Sequence, residues 1–128
     1  RTYYFKWKIL QKRTFDHSVP QMLVNCHEIK ESEIRKHPDR NRLLNVMGAI
    51  ENDIKLTNEK DIRVSSSQYL LMCTDGFWEY IDEKQMVKCL KHSNTPAEWL
   101  DSMNEIVKEN GKGSDMDNYS AIAIWILK

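Results

Sequence analysis

The chain opens with alternating apolar and polar residues. From Thr2 to Leu10 every second side chain is hydrophobic, and this period of two predicts a half-buried β-strand. Four side chains share the apolar side of that predicted strand: Tyr3, Phe5, Trp7 and Ile9. The opposite side carries Lys6 and Lys8, which is typical of a strand face in contact with water.

Two short helices are predicted in the following segment. Ser18 is a suitable N-cap, because its hydroxyl can accept a hydrogen bond from an N–H of the first helical turn. The apolar face of the helix after it contains Met22, Leu23 and Cys26. A polar helix is expected over Glu31 to Lys36, and it ends before Pro38, since proline disfavours a helical conformation in the residue before it.

Two longer helices have clearer start signals. Asp82 with Gln85 three residues later forms a capping-box pattern, and Thr95 followed by Pro96 combines a cap with proline at the first helical position. The first helix has a stripe of Met86, Val87 and Leu90. The second has a stripe of Trp99, Leu100, Met103, Ile106 and Val107. Asn110-Gly111 supplies its end.

Two apolar runs predict buried strands. The run from Tyr69 to Cys73 is expected to end at Asp75. The run from Tyr119 to Leu127 is apolar on both faces, which predicts a central strand covered from two sides rather than an edge strand. Between the helices and these strands, Asn41 to Met47 suits either a short helix or a strand, and Gly48 to Lys60 is predicted to be a polar connection.

The composition is that of an ordinary globular domain. The 128 residues are enough for one domain, which we predict to span residues 1–128. With 41% hydrophobic and 30% charged residues, collagen-like, low-complexity and disordered classes are excluded. Nineteen basic and nineteen acidic residues cancel, and no apolar run approaches the roughly 20 residues of a membrane span. We therefore expect neither nucleic acid nor a membrane as a partner.

The cysteines indicate a reducing compartment. Three of them, Cys26, Cys73 and Cys89, are an odd number without CxxC spacing, which argues against a disulfide scaffold or a zinc ribbon. We accordingly predict a cytoplasmic location. Because the chain begins with Arg1 rather than Met, we also expect further sequence upstream.

Two acidic residues adjoin the predicted buried strands. Asp75 closes one apolar run and Asp117 precedes the other. If these strands are adjacent and antiparallel, both carboxylates lie at the same end of the sheet, where oxygen ligands suit Mg²⁺ or Mn²⁺. Spacing alone favours a structural interpretation, because Asp-Gly is a common turn and Asp-Asn a common entry to a strand.

Four ordered motifs strengthen the metal hypothesis. Residues 74–79 (TDGFWE) follow the apolar run YLLMC, and residues 113–126 read GSDMDNYSAIAIWI. Residues 16–18 read DHS, and residues 28–41 contain Glu-Ile and later His-Pro-Asp-Arg-Asn. In this order they resemble motifs of the metal-dependent type 2C (PPM) Ser/Thr protein phosphatases of the bacterial type.

The resemblance implies a fold and a place within it. The family domain is an α/β/β/α sandwich of two antiparallel sheets flanked by helices, and this chain matches its C-terminal half, giving an α+β fold class. The family's first half contributes an early acidic residue, a first Asp-Gly motif and an arginine that grips the phosphate. None of these has a counterpart in this sequence.

The resemblance also implies a function. Family members hydrolyse phosphoserine and phosphothreonine on proteins with two Mn²⁺ or Mg²⁺ ions that activate a shared water. Asp75 and Asp117 match the family's metal ligands, Asp117 rather than Asp115 because it directly precedes Asn118. No catalytic or substrate-binding residue is assigned. Since the first half is absent, we expect the isolated chain to have little or no phosphatase activity.

A non-catalytic role is the alternative. A remnant of such a domain would leave sheet faces and strand edges uncovered, and both favour association with another protein. The chain would then be a protein-interaction module or an inactive remnant rather than part of an enzyme that acts on phosphoproteins.

Overall fold

A computed structural model describes residues 1–46, 57 and 61–127. The chain divides into two compact units, one formed by Arg1–Thr14 with Ile62–Lys128 and the other by Phe15–Asp61. Each unit is described by itself below. Within the described ranges, no helix combines the length and the hydropathy needed to cross a membrane.

The first unit is built on a four-stranded antiparallel sheet. Its strands are β1 (Thr2–Lys6), β2 (Ile9–Arg13), β3 (Gln68–Cys73) and β4 (Ala121–Ile126), and their spatial order is β2-β1-β3-β4. In the register of β3 and β4, Cys73 lies opposite Ala121. Three helices accompany the sheet: α2 (Asp75–Trp78), α3 (Glu83–His92) and α4 (Pro96–Gly111).

The prediction of one strand from Thr2 to Leu10 is wrong, because the chain reverses at Trp7 and Lys8. Both residues have positive φ, 54° and 56°, as a two-residue hairpin turn of the I′ type requires. Glycine or asparagine normally occupies such positions. Because this chain has tryptophan and lysine there, the sequence contains no turn signal that would interrupt the apolar alternation. Trp7 and Ile9 are consequently exposed, at 63% and 57%.

The core lies on one face of the sheet. Tyr3, Phe5 and Leu71 from the strands are fully buried there against α3 and α4. Trp99 of α4 is central: its ring meets Phe5 edge-on at 5.3 Å, and its indole N–H donates to the carbonyl of Met86 at 3.1 Å. The predicted helical stripes largely face the core: Met86, Leu90, Trp99, Met103 and Val107 are buried, whereas Val87, Leu100 and Ile106 are half-buried.

The helix start signals are confirmed. Asp82 accepts from the Gln85 N–H at 2.7 Å, and Gln85 Oε1 accepts in return from the Asp82 N–H at 3.0 Å. Thr95 accepts from the Glu98 N–H at 3.1 Å. Each cap satisfies N–H groups that have no partner within the helix, which stabilises its first turn by about 1 kcal/mol.

The prediction that the last strand is central and covered from both sides is wrong for the described part of the chain. There β4 pairs only with β3 and forms an edge of the sheet. One face of β4 lies against α4, while Ile122 and Ile124 on the other face are 58% and 42% exposed. Both faces of the strand are apolar, as predicted, but whether a face is buried depends on elements distant in sequence.

The second unit contains α1 (Val19–Asn25) and a 3₁₀ helix (Glu31–Lys36). Ser18 caps α1 as predicted, accepting from the Gln21 N–H. The predicted apolar face is wrong: Pro20 and Gln21 are buried, whereas Met22 is 43% exposed.

The segment of ambiguous pattern and the polar connection also fall in this unit. Up to residue 46 the ambiguous segment forms neither a helix nor a strand, only a single bridge between Leu43 and Ser18. Of the predicted connection from 48 to 60, only Thr57 lies within the described residues.

Candidate metal centre

Antiparallel pairing brings the two predicted metal ligands to one end of the sheet. Strand β3 ends at Cys73, earlier than the predicted Asp75, because Asp75 is the first residue of α2. Just beyond the paired strands, the Thr74 N–H donates to the Ser120 carbonyl at 3.1 Å, and the Ser120 N–H donates to Thr74 Oγ1 at 3.0 Å. Residues 75 and 117 therefore leave the sheet at the same rim.

Gly76 allows the two acid-bearing segments to approach closely. A Cβ atom at this position would lie 2.7 Å from the Asn118 carbonyl oxygen and 3.2 Å from that of Asp117. Side-chain carbons essentially never approach backbone oxygens so closely, so the contact requires glycine. The residue after Asp75 thus packs directly on Asp117 and Asn118.

Both carboxylates are exposed and oriented locally by the backbone. Asp75 Oδ1 accepts from the Gly76 N–H at 3.0 Å, and Asp117 Oδ1 accepts from the Asn118 N–H at 2.7 Å. An ionised carboxylate has about four lone-pair sites, so one such bond leaves acceptor capacity for a cation. Oxygen donors of this kind fit Mg²⁺ or Mn²⁺, which keep several water ligands of their own.

The other two of the four motifs, residues 16–18 and 28–41, belong to the second unit. Asp16, His17 and Ser18 belong to the second unit, where His17 has Asn45 Nδ2 3.0 Å from Nδ1 and Thr57 Oγ1 2.8 Å from Nε2. Both ring nitrogens are engaged locally, and Ser18 is a helix cap. The hydrogen bonds of His17 are therefore made within the second unit.

The two acids alone would not complete a metal shell. Across residues 1–46, 57 and 61–127, no group of three or more histidine, cysteine or acidic side chains is placed to hold an ion. Two carboxylates at one rim can contribute to a site, but further ligands must come from water or from other protein.

A cavity of about 390 Å³ opens at this end of the sheet. Its polar lining includes Arg1, Thr14, Thr74 and Ser120, and Met72 and Ile122 contribute apolar surface. Thr74 and Ser120 are the residues whose reciprocal hydrogen bonds join the acid-bearing segments. Neither Asp75 nor Asp117 lines the cavity, so it adjoins the strand ends and not the two carboxylates.

Two residues of this site were not identified from sequence as positioning residues. The role of Thr74 depends on a hydrogen bond 46 residues away along the chain, and that of Gly76 on contact with Asn118. The Thr-Asp-Gly sequence is the signal that could have identified them. A glycine directly after the end of a strand indicates that the chain passes close to another backbone there.

Comparison with known proteins agrees with the motifs. No protein-family model matches the chain. The serine/threonine phosphatase Stp of Listeria monocytogenes is 29% identical over 124 residues, covering 97% of this chain and 47% of the relative. The PPM Ser-Thr phosphatase MsPP of Mycobacterium smegmatis, solved with cacodylate, is 25% identical with a TM-score of 0.76, covering 98% of this chain and 51% of that one.

A third comparison concerns fold alone. The catalytic domain of the phosphatase PstP, solved in complex with two manganese ions, is 19% identical with a TM-score of 0.71. It covers 96% of this chain, which spans 48% of that domain.

These matches confirm the resemblance and the fold class. The chain is similar to part of bacterial PPM Ser/Thr phosphatases and has the α+β fold of that part of their domain. It spans about half the length of the curated relatives it matches.

Proposed function

We propose that this chain contributes Asp75 and Asp117 to the divalent-cation centre of a protein Ser/Thr phosphatase whose substrates are phosphoproteins. The observation that carries the proposal is the approach of Gly76 to within contact of Asn118, which sets the two acid-bearing segments side by side. The relationship to bacterial Ser/Thr phosphatases supplies the reaction class.

Mn²⁺ or Mg²⁺ is the cofactor we propose. When bound, such ions would lower the pKa of a water molecule so that it can act as the nucleophile on a phosphate ester at neutral pH. The task of Asp75 and Asp117 is to hold cations at the sheet rim through their exposed carboxylate oxygens. Thr74 and Gly76 fix the backbones that carry those carboxylates.

The isolated chain is proposed to be inactive. Two carboxylates leave most coordination positions to water, and the described residues offer no third acid or histidine to complete the site. Incubating residues 1–128 with MnCl₂ and a phosphothreonine peptide should release no phosphate above the background. Manganese-dependent release would contradict this part of the proposal.

The metal role is tested by titration calorimetry with MnCl₂. The unsubstituted chain should give a weak binding isotherm, and Asp75→Asn and Asp117→Asn should each reduce the affinity at least tenfold. Asp115→Asn tests the choice between neighbouring acids, and Glu105→Gln, at an exposed acid of α4, is the matched control. Equal heats from all five proteins would remove Asp75 and Asp117 from any metal site.

A second candidate function is a protein-interaction module. The exposed Ile122 and Ile124, on the sheet face away from α4, favour it. The two functions predict opposite results: association should depend on these isoleucines and not on Asp75, whereas manganese binding should depend on Asp75 and not on them.

A further inference from the structure

We propose that the C-terminal end of α4 is a clamp that positions Asp117 relative to Asp75. The clamp holds residues 112–117, here called the acid loop, which connect α4 to the segment before β4. The inference rests on the proposed function, because it concerns how the two metal ligands are brought into register. It assigns Gly111 and Met116 as positioning residues.

The first contact of the clamp is between Gly111 and Met116. Gly111 is the buried last residue of α4, and a Cβ atom there would overlap Met116 Sδ and lie 2.6 Å from its Cε. The backbone of Gly111 is helical, and an added methyl group would displace the flexible Met116 side chain from the helix end. The Met116 side chain therefore rests directly on the helix end.

The acid loop is also tied to α4 by hydrogen bonds. The Ser114 hydroxyl and the Ser114 N–H both donate to the Gly111 carbonyl, at 2.6 and 3.0 Å. The Met116 N–H in turn donates to the Ser114 carbonyl at 3.1 Å. These bonds fix the turn that delivers Met116 to Gly111, and Asp117 is the next residue.

The same clamp reaches the segment that carries Asp75. Tyr80 follows α2, and its carbonyl accepts from Asn110 Nδ2 at 2.7 Å. The Tyr80 hydroxyl lies 3.1 Å from Ser114 Oγ, a hydrogen-bonding distance. One end of α4 thus contacts both the acid loop and the residues that follow α2, so a shift at Gly111 changes the separation of the two acids.

The size of the expected effect follows from other metal sites. Residues that orient metal ligands without touching the ion typically change metal affinity by about 10- to 100-fold when they are replaced. Because the Asn118 N–H donates to Asp117 Oδ1 and the Gly76 N–H to Asp75 Oδ1, the amide signals of Asn118 and Gly76 report on both carboxylates without any metal.

The test uses ¹⁵N-labelled full chain and four variants. Gly111→Ala should shift the Asn118 and Gly76 amide resonances and weaken Mn²⁺ binding about tenfold. Met116→Ala, which removes the contact with Gly111 without adding bulk, should shift the same two amides and weaken Mn²⁺ binding by a similar amount. The control is Ser102→Ala, at an exposed serine of α4 whose hydroxyl donates to the Glu98 carbonyl within the same helix. It should leave both amides and the affinity unchanged.

A milder variant covers the case in which Gly111→Ala unfolds the chain. Tyr80→Phe removes only the hydroxyl next to Ser114 and should shift the same two amides by a smaller amount. Unmoved amides in the folded variants, or equal shifts from Ser102→Ala, would overturn the clamp. Absence of manganese binding by the unsubstituted chain would instead overturn the proposed metal role, while the amide shifts still decide the clamp.

Discussion

The two faces of the four-stranded sheet are both apolar but differ in burial. On the helix-covered face, Tyr3, Phe5 and Leu71 are fully buried under α3 and α4. On the opposite face, here called the open face, Ile122 and Ile124 are 58% and 42% exposed. Their partners in register are Met72 and Leu70 of β3.

The difference indicates which part of the sheet this chain stabilises by itself. An antiparallel sheet with one solvated face normally carries polar residues there, whereas the open face carries leucine, methionine and isoleucine. Such a pattern is typical of a sheet that packs against a second sheet, as in a two-sheet sandwich. The chain's own core is the helix-covered face, and the open face is available to another polypeptide.

The largest expected effect lies at the centre of the helix-covered face. Trp99→Ala should lower the free energy of unfolding by about 4 kcal/mol, because it opens a cavity and removes contacts with Phe5 and the carbonyl of Met86. Urea unfolding followed by circular dichroism measures it. Ile122→Thr, a β-branched replacement on the open face, is the control and should change stability by less than about 0.5 kcal/mol. Similar losses from both variants would remove the distinction between the faces.

The next effect is a loss of stability at alkaline pH. Burial raises the pKa of Tyr3 to about 12 from its usual 10.0, opposed by the charge of Arg1. Between pH 10 and pH 12 the Tyr3 hydroxyl loses its proton in the unfolded chain but keeps it in the folded one. The free energy of unfolding, constant below pH 10 as far as Tyr3 is concerned, therefore falls by about 3 kcal/mol as the pH rises to 12. Tyr3→Phe should remove this part of the pH dependence. A variant with the same alkaline slope as the unsubstituted chain would contradict the buried position of Tyr3.

A smaller effect is expected at the start of α4, the helix that covers Phe5. Thr95→Ala removes the acceptor of the Glu98 N–H and should lower the free energy of unfolding by about 1 kcal/mol. Thr95→Ser keeps a hydroxyl in the same place and should lose much less. Thermal unfolding of the pair checks the cap, and equal losses would show that the hydroxyl is not the stabilising group.

The smallest effect on stability, with the clearest effect on association, is predicted for the open face. Ile124→Lys places a charge on an edge strand, which opposes strand-to-strand and face-to-face contact. Folding stability should change by less than about 1 kcal/mol, and sedimentation velocity should detect less self-association than in the unsubstituted chain. Leu71→Lys is the contrasting variant. It should prevent folding, because Leu71 is fully buried. Strong destabilisation by Ile124→Lys would show that the open face is part of the core.

Features determined by neighbouring residues were predictable from the sequence. The reciprocal bonds of Asp82 and Gln85 and the cap at Thr95 involve residues three apart, so their pattern specifies their structure. The turn at Trp7 and Lys8 could not be predicted, because neither residue with a positive φ angle is a glycine. The turn is accompanied by hydrogen bonds to residues distant in sequence: the Trp7 N–H donates to the Ser67 carbonyl at 3.0 Å and Lys8 Nζ donates to the Ser93 carbonyl at 3.1 Å.

The candidate site divides in the same way. The placement of residues 75 and 117 at one rim followed from the assumption that their strands are adjacent and antiparallel, and that pairing is observed. The contacts of Gly76 with Asn118 and of Gly111 with Met116 could not be predicted, because they join residues whose proximity depends on the folded backbone. Sequence located the acids, and packing determines how closely they approach.

The most direct test of the central claim is paramagnetic broadening by Mn²⁺ in ¹⁵N-labelled chain. If Asp75 and Asp117 hold one cation site, the amide signals of Gly76 and Asn118 should broaden together at the lowest manganese concentrations, before signals of α3 or of the exposed face of α4. Asp75→Asn should weaken the broadening at both amides. Broadening confined to one of them, or first appearing elsewhere in the chain, would contradict a shared site.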